Sequence, residues 1–292
     1  MFRLEIMSRG VWVYAPRRYT GRTPLPTVML LHGSGQNGRE MLGNTDGTGG
    51  VGLQNTAESE GFLIVAPSGG IPAGDKYSFS WQVPGAPGGG PGETGDERFL
   101  SALIAKELPA RLCVDPARAY MAGFSGGARM TSQFACRHDQ QLAAIGAVSG
   151  LRAGTAIEDP PGSGDFRPDE RSCPDTVSMP VVAFHNTGDP ENPYGGDPGN
   201  KPLTDAGGAR WGYSVPEAHQ RWGRINGCTV PPPPQQNGPL LQRLAFGGCE
   251  PGTAAVLFRL DRAKHDWPRP PVADTNGRLW AFFCQFPQPC RT

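Results

Sequence analysis

The sequence predicts an α/β fold, a mostly parallel central sheet with helices on both faces, and three observations predict it. Continuous apolar runs at 27–31, 62–66, 143–148, 181–185 and 255–260 have the length and composition of buried strands. Amphipathic or small-residue stretches alternate with them, the pattern of parallel strands joined by crossover helices. The 42 glycines and 31 prolines, about a quarter of 292 residues, cluster at 84–95, 159–168, 188–202 and 231–238 and form no repeat. They read as long loops over a regular scaffold, and one domain over 1–292 accounts for the chain.

In chain order, Val11-Trp12-Val13-Tyr14 is a short strand ended by Pro16, and 27–31 is a central strand that ends at His32-Gly33-Ser34-Gly35. A helical stretch with Leu53 and Ala57 precedes the buried strand 62–66, closed by Pro67. Phe99, Leu100, Leu103, Ile104 and Leu108 mark the apolar face of a helix over about 97–108. Asp115-Pro116-Ala117-Arg118 then turns the chain into another strand. Strands follow at 143–148 and 181–185, and a helix begins near Pro216 with Ser214 as its cap. The last strong strand is 255–260, and a helix over 275–286 closes the chain.

The strand after Arg118 runs into Gly123-Phe124-Ser125-Gly126-Gly127, with Ala128, Met130, Phe134 and Ala135 at helical spacing beyond it. Strand, sharp turn and helix in this order make a nucleophile elbow. A serine held on a strained strand-to-helix turn projects its Oγ, and the next amide faces the oxyanion. Gly123 and Gly127 flank the turn because a Cβ there collides with neighbouring backbone. Ligands of such a sheet sit at the carboxyl ends of its strands. Asp189 follows 181–185 and His265 follows 255–260, so both fall at that edge. Of the five histidines, His32 reads as a loop support, His138 as a solvated helix end, His185 as structural and His219 as a helix-face residue. His265 is left as general base, and Asp189 as the acid that orients it, ahead of Asp159, Asp175 and Asp197. Asp266 adjoins the base and points elsewhere. The oxyanion donors are the amides of Gly126 and Ser34. The Gly33–Gly35 loop is too short for a phosphate loop and lacks a following Gly-Lys-Ser/Thr, so a nucleotide site is rejected.

Lys+Arg and Asp+Glu both count 27, so no basic face argues for nucleic acid or an anionic membrane. No apolar run approaches the ~20 residues that span a bilayer. The seven cysteines, Cys113, Cys136, Cys173, Cys228, Cys249, Cys284 and Cys290, show no Cys-x-x-Cys pair and no histidine spacing suited to zinc. Disulfides in an oxidising, extracellular compartment explain them better than buried thiols in a cytosolic protein. Cys228–Cys249 and Cys284–Cys290 are the candidate local bridges, connectivity itself not following from sequence, and an odd count leaves a free thiol. Met1 to Met7 holds charges and no long apolar core, so export requires a leader removed or lying outside this sequence.

With these residues in place the chain resembles the secreted esterases of the polyhydroxybutyrate-depolymerase and feruloyl-esterase group of α/β-hydrolases. Leu31-His32-Gly33, Gly61-Phe62 with Ala66-Pro67, Asp96-Glu97-Arg98-Phe99 and Cys113-Val114-Asp115 with Arg118 carry the resemblance. So do Gly123-Phe124-Ser125-Gly126-Gly127, Asn226-Gly227-Cys228, and His265 with Trp267-Pro268, and together these segments span about 10–286. The chain order Ser, Asp, His is the one expected of α/β-hydrolases. The resemblance implies the α/β-hydrolase fold, Ser125, Asp189 and His265 as the triad, secretion, and a bridge from Cys228 to a cysteine slightly downstream, such as Cys249. Two features depart from it. Lys264 and Asp266 flank the base where members tend to carry glycine and a neutral residue, and segments 84–95 and 188–202 are longer than expected and shape the cleft differently.

Trp267, two residues past the base, and Trp81, at the head of a glycine-rich loop, are the candidate substrate contacts. Trp211 lies in a loop, and Trp222 reads as helix core. The expected activity is that of a serine carboxylesterase acting through an acyl-enzyme on feruloyl or acetyl esters of polysaccharide, or on short-chain hydroxyalkanoate polyesters. It needs no cofactor or metal, and its partner is the ester substrate of a monomeric chain. The rival readings are a catalytically silent binding or cell-wall protein on the same fold and a serine peptidase.

Overall fold

A computed structural model describes residues 1–44, 49–74, 76–84, 86, 88–90, 92–197 and 212–287. The first half comprises β1 (Phe2–Ile6), β2 (Arg9–Tyr14), β3 (Leu25–Leu31), α1 (Gly38–Leu42), α2 (Leu53–Glu60), β4 (Leu63–Pro67), β5 (Ile71–Pro72), β6 (Phe79–Ser80), α3 (Gly95–Ala102) and β7 (Val114–Phe124). Then follow α4 (Gly126–His138), β8 (Ala144–Val148), β9 (Ala156–Glu158), β10 (Phe166–Pro168), β11 (Val181–Asn186), α5 (Val215–Ile225), β12 (Pro234–Gly238), β13 (Leu241–Ala245), β14 (Ala255–Leu260) and α6 (Thr275–Phe283).

Among the described residues the main sheet has ten strands in the order β1-β2-β4-β3-β7-β8-β11-β14-β13-β12. The six central strands, β4 to β14 in that order, pair in parallel. An antiparallel pair extends each edge. The edges are where the sequence pattern is least informative: β1 carries charges, and β12 begins inside the proline-rich run 231–238 that reads as a loop. Proline is tolerated there because an edge strand leaves one row of backbone groups unpaired. The helix expected over 97–108 begins with a Thr94–Glu97 capping box, runs as α3, and continues as one π-helical stretch over Leu103–Glu107.

Each central strand alternates its side chains between two cores, so helices must cover both faces. Met29, Leu31, Met121, Ile145, Ala147, Val181 and Ala183 face one core, with Met130 and Phe134 of α4 and Trp222 of α5. Val28, Leu30, Tyr120, Ala122, Val148, Val182 and Phe184 face the other, with α2 and the aromatics of α6. Trp222 is fully buried and donates its indole N–H to Arg152 O at 2.6 Å.

Cys228 and Cys249 are bridged, and so are Cys136 and Cys173, a pairing the sequence does not indicate. The second ties the C-terminal turn of α4 to the loop after β10, closing 37 residues, which on the chain-entropy account limits the unfolded state by about 4 kcal/mol. Cys113 carries a free thiol. The Cys284–Cys290 pairing reaches outside the described residues, as does Trp211. No helix among the described residues is long and apolar enough to cross a membrane.

Candidate active site

Ser125 stands between β7 and α4 with φ 52° and ψ −117°, a conformation an L-residue holds only when its surroundings impose it. The surroundings here are main chain. The Ser125 N–H donates to Val148 O at 2.9 Å, fixing the turn to the neighbouring strand. A Cβ on Gly123 would lie 2.3 Å from the carbonyl of Gly127, and one on Gly127 would lie 2.4 Å from Leu31 O and 2.5 Å from His32 O. Both glycines are therefore required by close backbone approach.

The loop after β3 meets this turn. Ser34 N is 3.3 Å from where a Cβ of Gly126 would stand, so the residues carrying the two expected donor amides lie against each other beside Ser125. The loop is held from behind by His32, which is fully buried. Gly69 N–H donates to His32 Nε2 at 3.0 Å, which leaves Nδ1 as the protonated nitrogen, donating to Gly33 O at 2.7 Å. Burial pushes the imidazole down to about 4, so it stays neutral and this pairing persists at neutral pH. Trp81 Nε1 donates to His32 O at 2.8 Å, and Gly33 N–H to Gln36 Oε1 at 2.9 Å. Trp81 is 1% exposed. It is thus a buttress of the loop and offers no face to a substrate, contrary to the expectation from its position.

On the far side, Asp189 Oδ2 lies 2.8 Å from His265 Nδ1, and Oδ1 3.0 Å from it. Oδ1 also accepts from the amides of Glu191 and Asn192, each at 2.9 Å. Burial opposes the ionisation of Asp189, but the His265 hydrogen bond, the Asn192 amide and the neighbouring imidazoles outweigh it and hold the carboxyl below its ordinary value. His185 Nε2 binds Asn192 O at 2.9 Å and approaches Asp189 Oδ2 at 3.6 Å, so it braces the acid's turn from within the core. Burial lowers its pKa to about 4. Among the other acids, Asp159 pairs with Arg167 and Asp175 with Arg221, both away from His265.

His265 sits on a loop without regular structure, and two neighbours pin it. The Asn186 amide, fully buried at the end of β11, donates to Lys264 O at 2.9 Å and to Asp266 Oδ1 at 3.0 Å, the residues on either side of the base. Arg262 Nη2 donates to Asp266 Oδ2 at 2.9 Å. The Asp266 carboxylate is thus taken up by Asn186 and Arg262, while Lys264 enters the clamp through its carbonyl. The sequence pattern missed Asn186, because a polar strand-end residue shows its partners only once the fold is known. The Phe124 ring lies 4.9 Å from the imidazole.

Ser34, Ser125, Gly126 and His265 share a hollow of about 460 Å³ with Arg129, Pro190, Glu191 and Asn192. The second Gly/Pro-rich segment lines the hollow through Pro190, Glu191 and Asn192, and the first touches a lining residue, Arg129 donating to Pro84 O. On the other side of His265 a cleft of about 590 Å³ runs past Phe124, Trp267, Gln36, Glu40 and Arg269. Trp267 is 7% exposed and its N–H is given to Asn276 Oδ1 at 2.9 Å, so it lines this cleft with an edge only. His138 is no solvated helix end: it stacks on Phe134 at 4.5 Å and lies 3.2 Å from Glu93. His219 is buried against Phe246.

The profile of the esterase PHB depolymerase family matches residues 13–184. Feruloyl esterase B of Piromyces equi is 28% identical over 199 residues, 66% of this chain and 32% of its own. The bifunctional acetylxylan esterase/xylanase of Neocallimastix patriciarum is 28% identical over 143 residues, 49% of this chain and 18% of its own. The probable feruloyl esterase C of Aspergillus clavatus is 31% identical over 147 residues, 50% of this chain and 48% of its own. The matched region therefore spans less than half of each relative. Among solved structures, the acetyl xylan esterase from Aspergillus awamori superposes with a TM-score of 0.62 at 13% identity, covering 96% of this chain and 98% of that one. An S-formylglutathione hydrolase from Agrobacterium tumefaciens does so at 0.54 and 14%, covering 97% and 93%. At these identities the likeness is one of fold, the α/β-hydrolase fold.

Proposed function

The chain belongs to the esterase PHB depolymerase family, and from that premise we propose that it is a secreted serine carboxylesterase, one catalytic domain acting on feruloyl or acetyl esters of polysaccharide. The observation that carries this reading is the strained Ser125 sharing one hollow with Ser34, Gly126 and a His265 that is hydrogen-bonded to Asp189.

In the proposed reaction the Ser125 Oγ attacks the ester carbonyl carbon while His265 Nε2 takes its proton. The carbonyl oxygen gains the charge and accepts from the amides of Gly126, at the start of α4, and of Ser34, whose loop Gln36, His32 and Trp81 already fix. Asp189 holds the imidazole by Nδ1 and stabilises the imidazolium. The C–O bond to the alcohol breaks as His265 returns the proton to the leaving oxygen, leaving an acyl group on Ser125. Water, deprotonated by the same His265, attacks that acyl carbon and the carboxylic acid leaves with Ser125 restored. No metal or cofactor enters these steps. Two disulfides fit the secreted setting, and the relatives named as feruloyl and acetylxylan esterases support the substrate class.

Turnover of p-nitrophenyl acetate, methyl ferulate, acetylated xylan and a hydroxybutyrate oligomer by wild type and Ser125→Ala tests this. Ser125→Ala is expected to lower kcat at least about 10⁴-fold. Undiminished turnover in that variant rules out the serine mechanism, and preference for the oligomer would shift the substrate to aliphatic polyester.

A further inference from the structure

Resting on the esterase reading, we propose that Ser149 is a positioning residue for the reaction: from the end of β8 it sets the acid's turn and the base loop against the elbow. The strand order β7-β8-β11-β14 puts the elbow after β7, the acid after β11 and the base after β14. β8 stands between the first two and contributes no triad member. Its carboxyl end is nevertheless where contacts from all three segments converge.

The residues on either side of Ser149 pack against the peptide groups of the nucleophile. Val148 O accepts the Ser125 N–H, and a Cβ on Gly150 would lie 2.5 Å from Ser125 O. Toward the acid, Asn192 Nδ2 donates to Ser149 O at 2.5 Å, while the Asn192 N–H donates to Asp189 Oδ1. Toward the base, Ser149 Oγ donates at 3.3 Å to the carbonyl of Asp266, the residue after His265. The base loop thus has a third hold beside those of Asn186 and Arg262, and this one comes from the strand next to the elbow. The Ser149 N–H donates to Phe184 O at 2.8 Å and fixes the junction to β11.

The backbone at this point is strained. Ser149 is fully buried with φ 52°. Among the described residues four non-glycine residues have positive φ: Met7 and Ser8 form the exposed turn between β1 and β2, and the other two are Ser125 and Ser149. A glycine holds this conformation without steric cost and would keep every main-chain contact of the position. What serine adds is a hydroxyl, and the hydroxyl goes to the base loop. The strained side chain therefore has one contact to its credit, and that contact bears on the chemistry. At 3.3 Å it is the longest bond of the set, so its loss should disturb the alignment of His265 with Asp189 before it disturbs the fold.

Two substitutions separate the hydroxyl from the backbone. Ser149→Gly removes the hydroxyl and relieves the strain, while Ser149→Ala removes the hydroxyl and keeps it. Both are expected to lower kcat on p-nitrophenyl acetate by the same factor, roughly three- to tenfold, with KM nearly unchanged. In both, proton NMR should show the His265 Nδ1 proton, held by Asp189, moved upfield as that bond weakens. The thermal midpoint should stay near that of wild type in Ser149→Gly, so a lower kcat there cannot be charged to lost fold. Unchanged kcat in Ser149→Gly, an unmoved proton, or a loss in only one of the two variants overturns the proposal. Absence of Ser125-dependent turnover in wild type overturns the esterase reading instead, and the proton shift, which needs no substrate, still reads whether Ser149 aligns base and acid.

Discussion

The two halves of the site are held by different means. Ser125 is fixed by main chain: its amide on Val148 O, and the carbonyls of Leu31, His32 and Gly127 pressed against Gly123 and Gly127. His265 is fixed by side chains, Asp189 on Nδ1 and Asn186 on both flanking residues from a distant part of the chain, and Arg262 on Asp266 from nearby. Main-chain packing leaves no intermediate arrangement, because a backbone atom cannot rotate out of the way. Side-chain clamps loosen one bond at a time. The elbow should therefore fail all at once and the base loop by degrees.

Gly127→Ala breaks the first half. Its Cβ would stand 2.4 Å from Leu31 O in the middle of the sheet, and neither β3 nor α4 has room to yield. The expected cost exceeds about 3 kcal/mol. Chemical denaturation should show the loss of stability, and turnover should vanish with it. A stable, active Gly127→Ala protein would mean that the elbow relaxes, and the contrast between the halves would collapse.

Asn186→Leu breaks the second half and leaves the first alone. The variant keeps the number and branching of the side-chain heavy atoms, though not their volume, and removes the donor to Lys264 O and Asp266 Oδ1. An unpaired buried acceptor costs about 1–3 kcal/mol, and the loop escapes part of that cost by moving His265 off its line to Ser125. The expected result is a kcat lowered roughly ten- to a hundredfold with KM nearly unchanged, in a protein that still folds. Unchanged kcat would show that Asp189 and the Arg262–Asp266 pair position the base without Asn186.

The same contrast explains what could be read without a structure. The elbow is legible because its determinants lie within five consecutive residues, and Asp189 and His265 because parallel strands bring their carboxyl ends to one edge. The clamp is illegible: Asn186 lies 78 and 80 residues from its partners, and nothing local marks it. Trp81 is hidden for the same reason, since an aromatic at the head of a glycine-rich loop looks exposed until His32 O is found against its N–H. The Cys136–Cys173 bridge, the charged β1 and the proline-led β12 likewise depend on neighbours that only the assembled sheet supplies.

One feature is common to both halves, and it predicts the smallest effect. His32 supports the donor loop and His185 the acid's turn, while His219 lies apart from both, and burial lowers each from 6.5 to about 4. Between those values the unfolded chain binds a proton at each site that the folded chain refuses. Stability contributed by keeping these rings neutral is thus fully present above pH 6.5 and is lost as pH falls toward about 4. Asp189, lowered from 3.8, adds its own loss only at still lower pH. Thermal midpoints across this range should be flat above neutrality and fall on acidification. His219→Gln, which touches neither half, should remove about a third of that slope and leave kcat at pH 7 unaltered. An unchanged slope would place the acid sensitivity entirely in the two histidines that hold the site, so that loss of activity and loss of fold would follow the same titration.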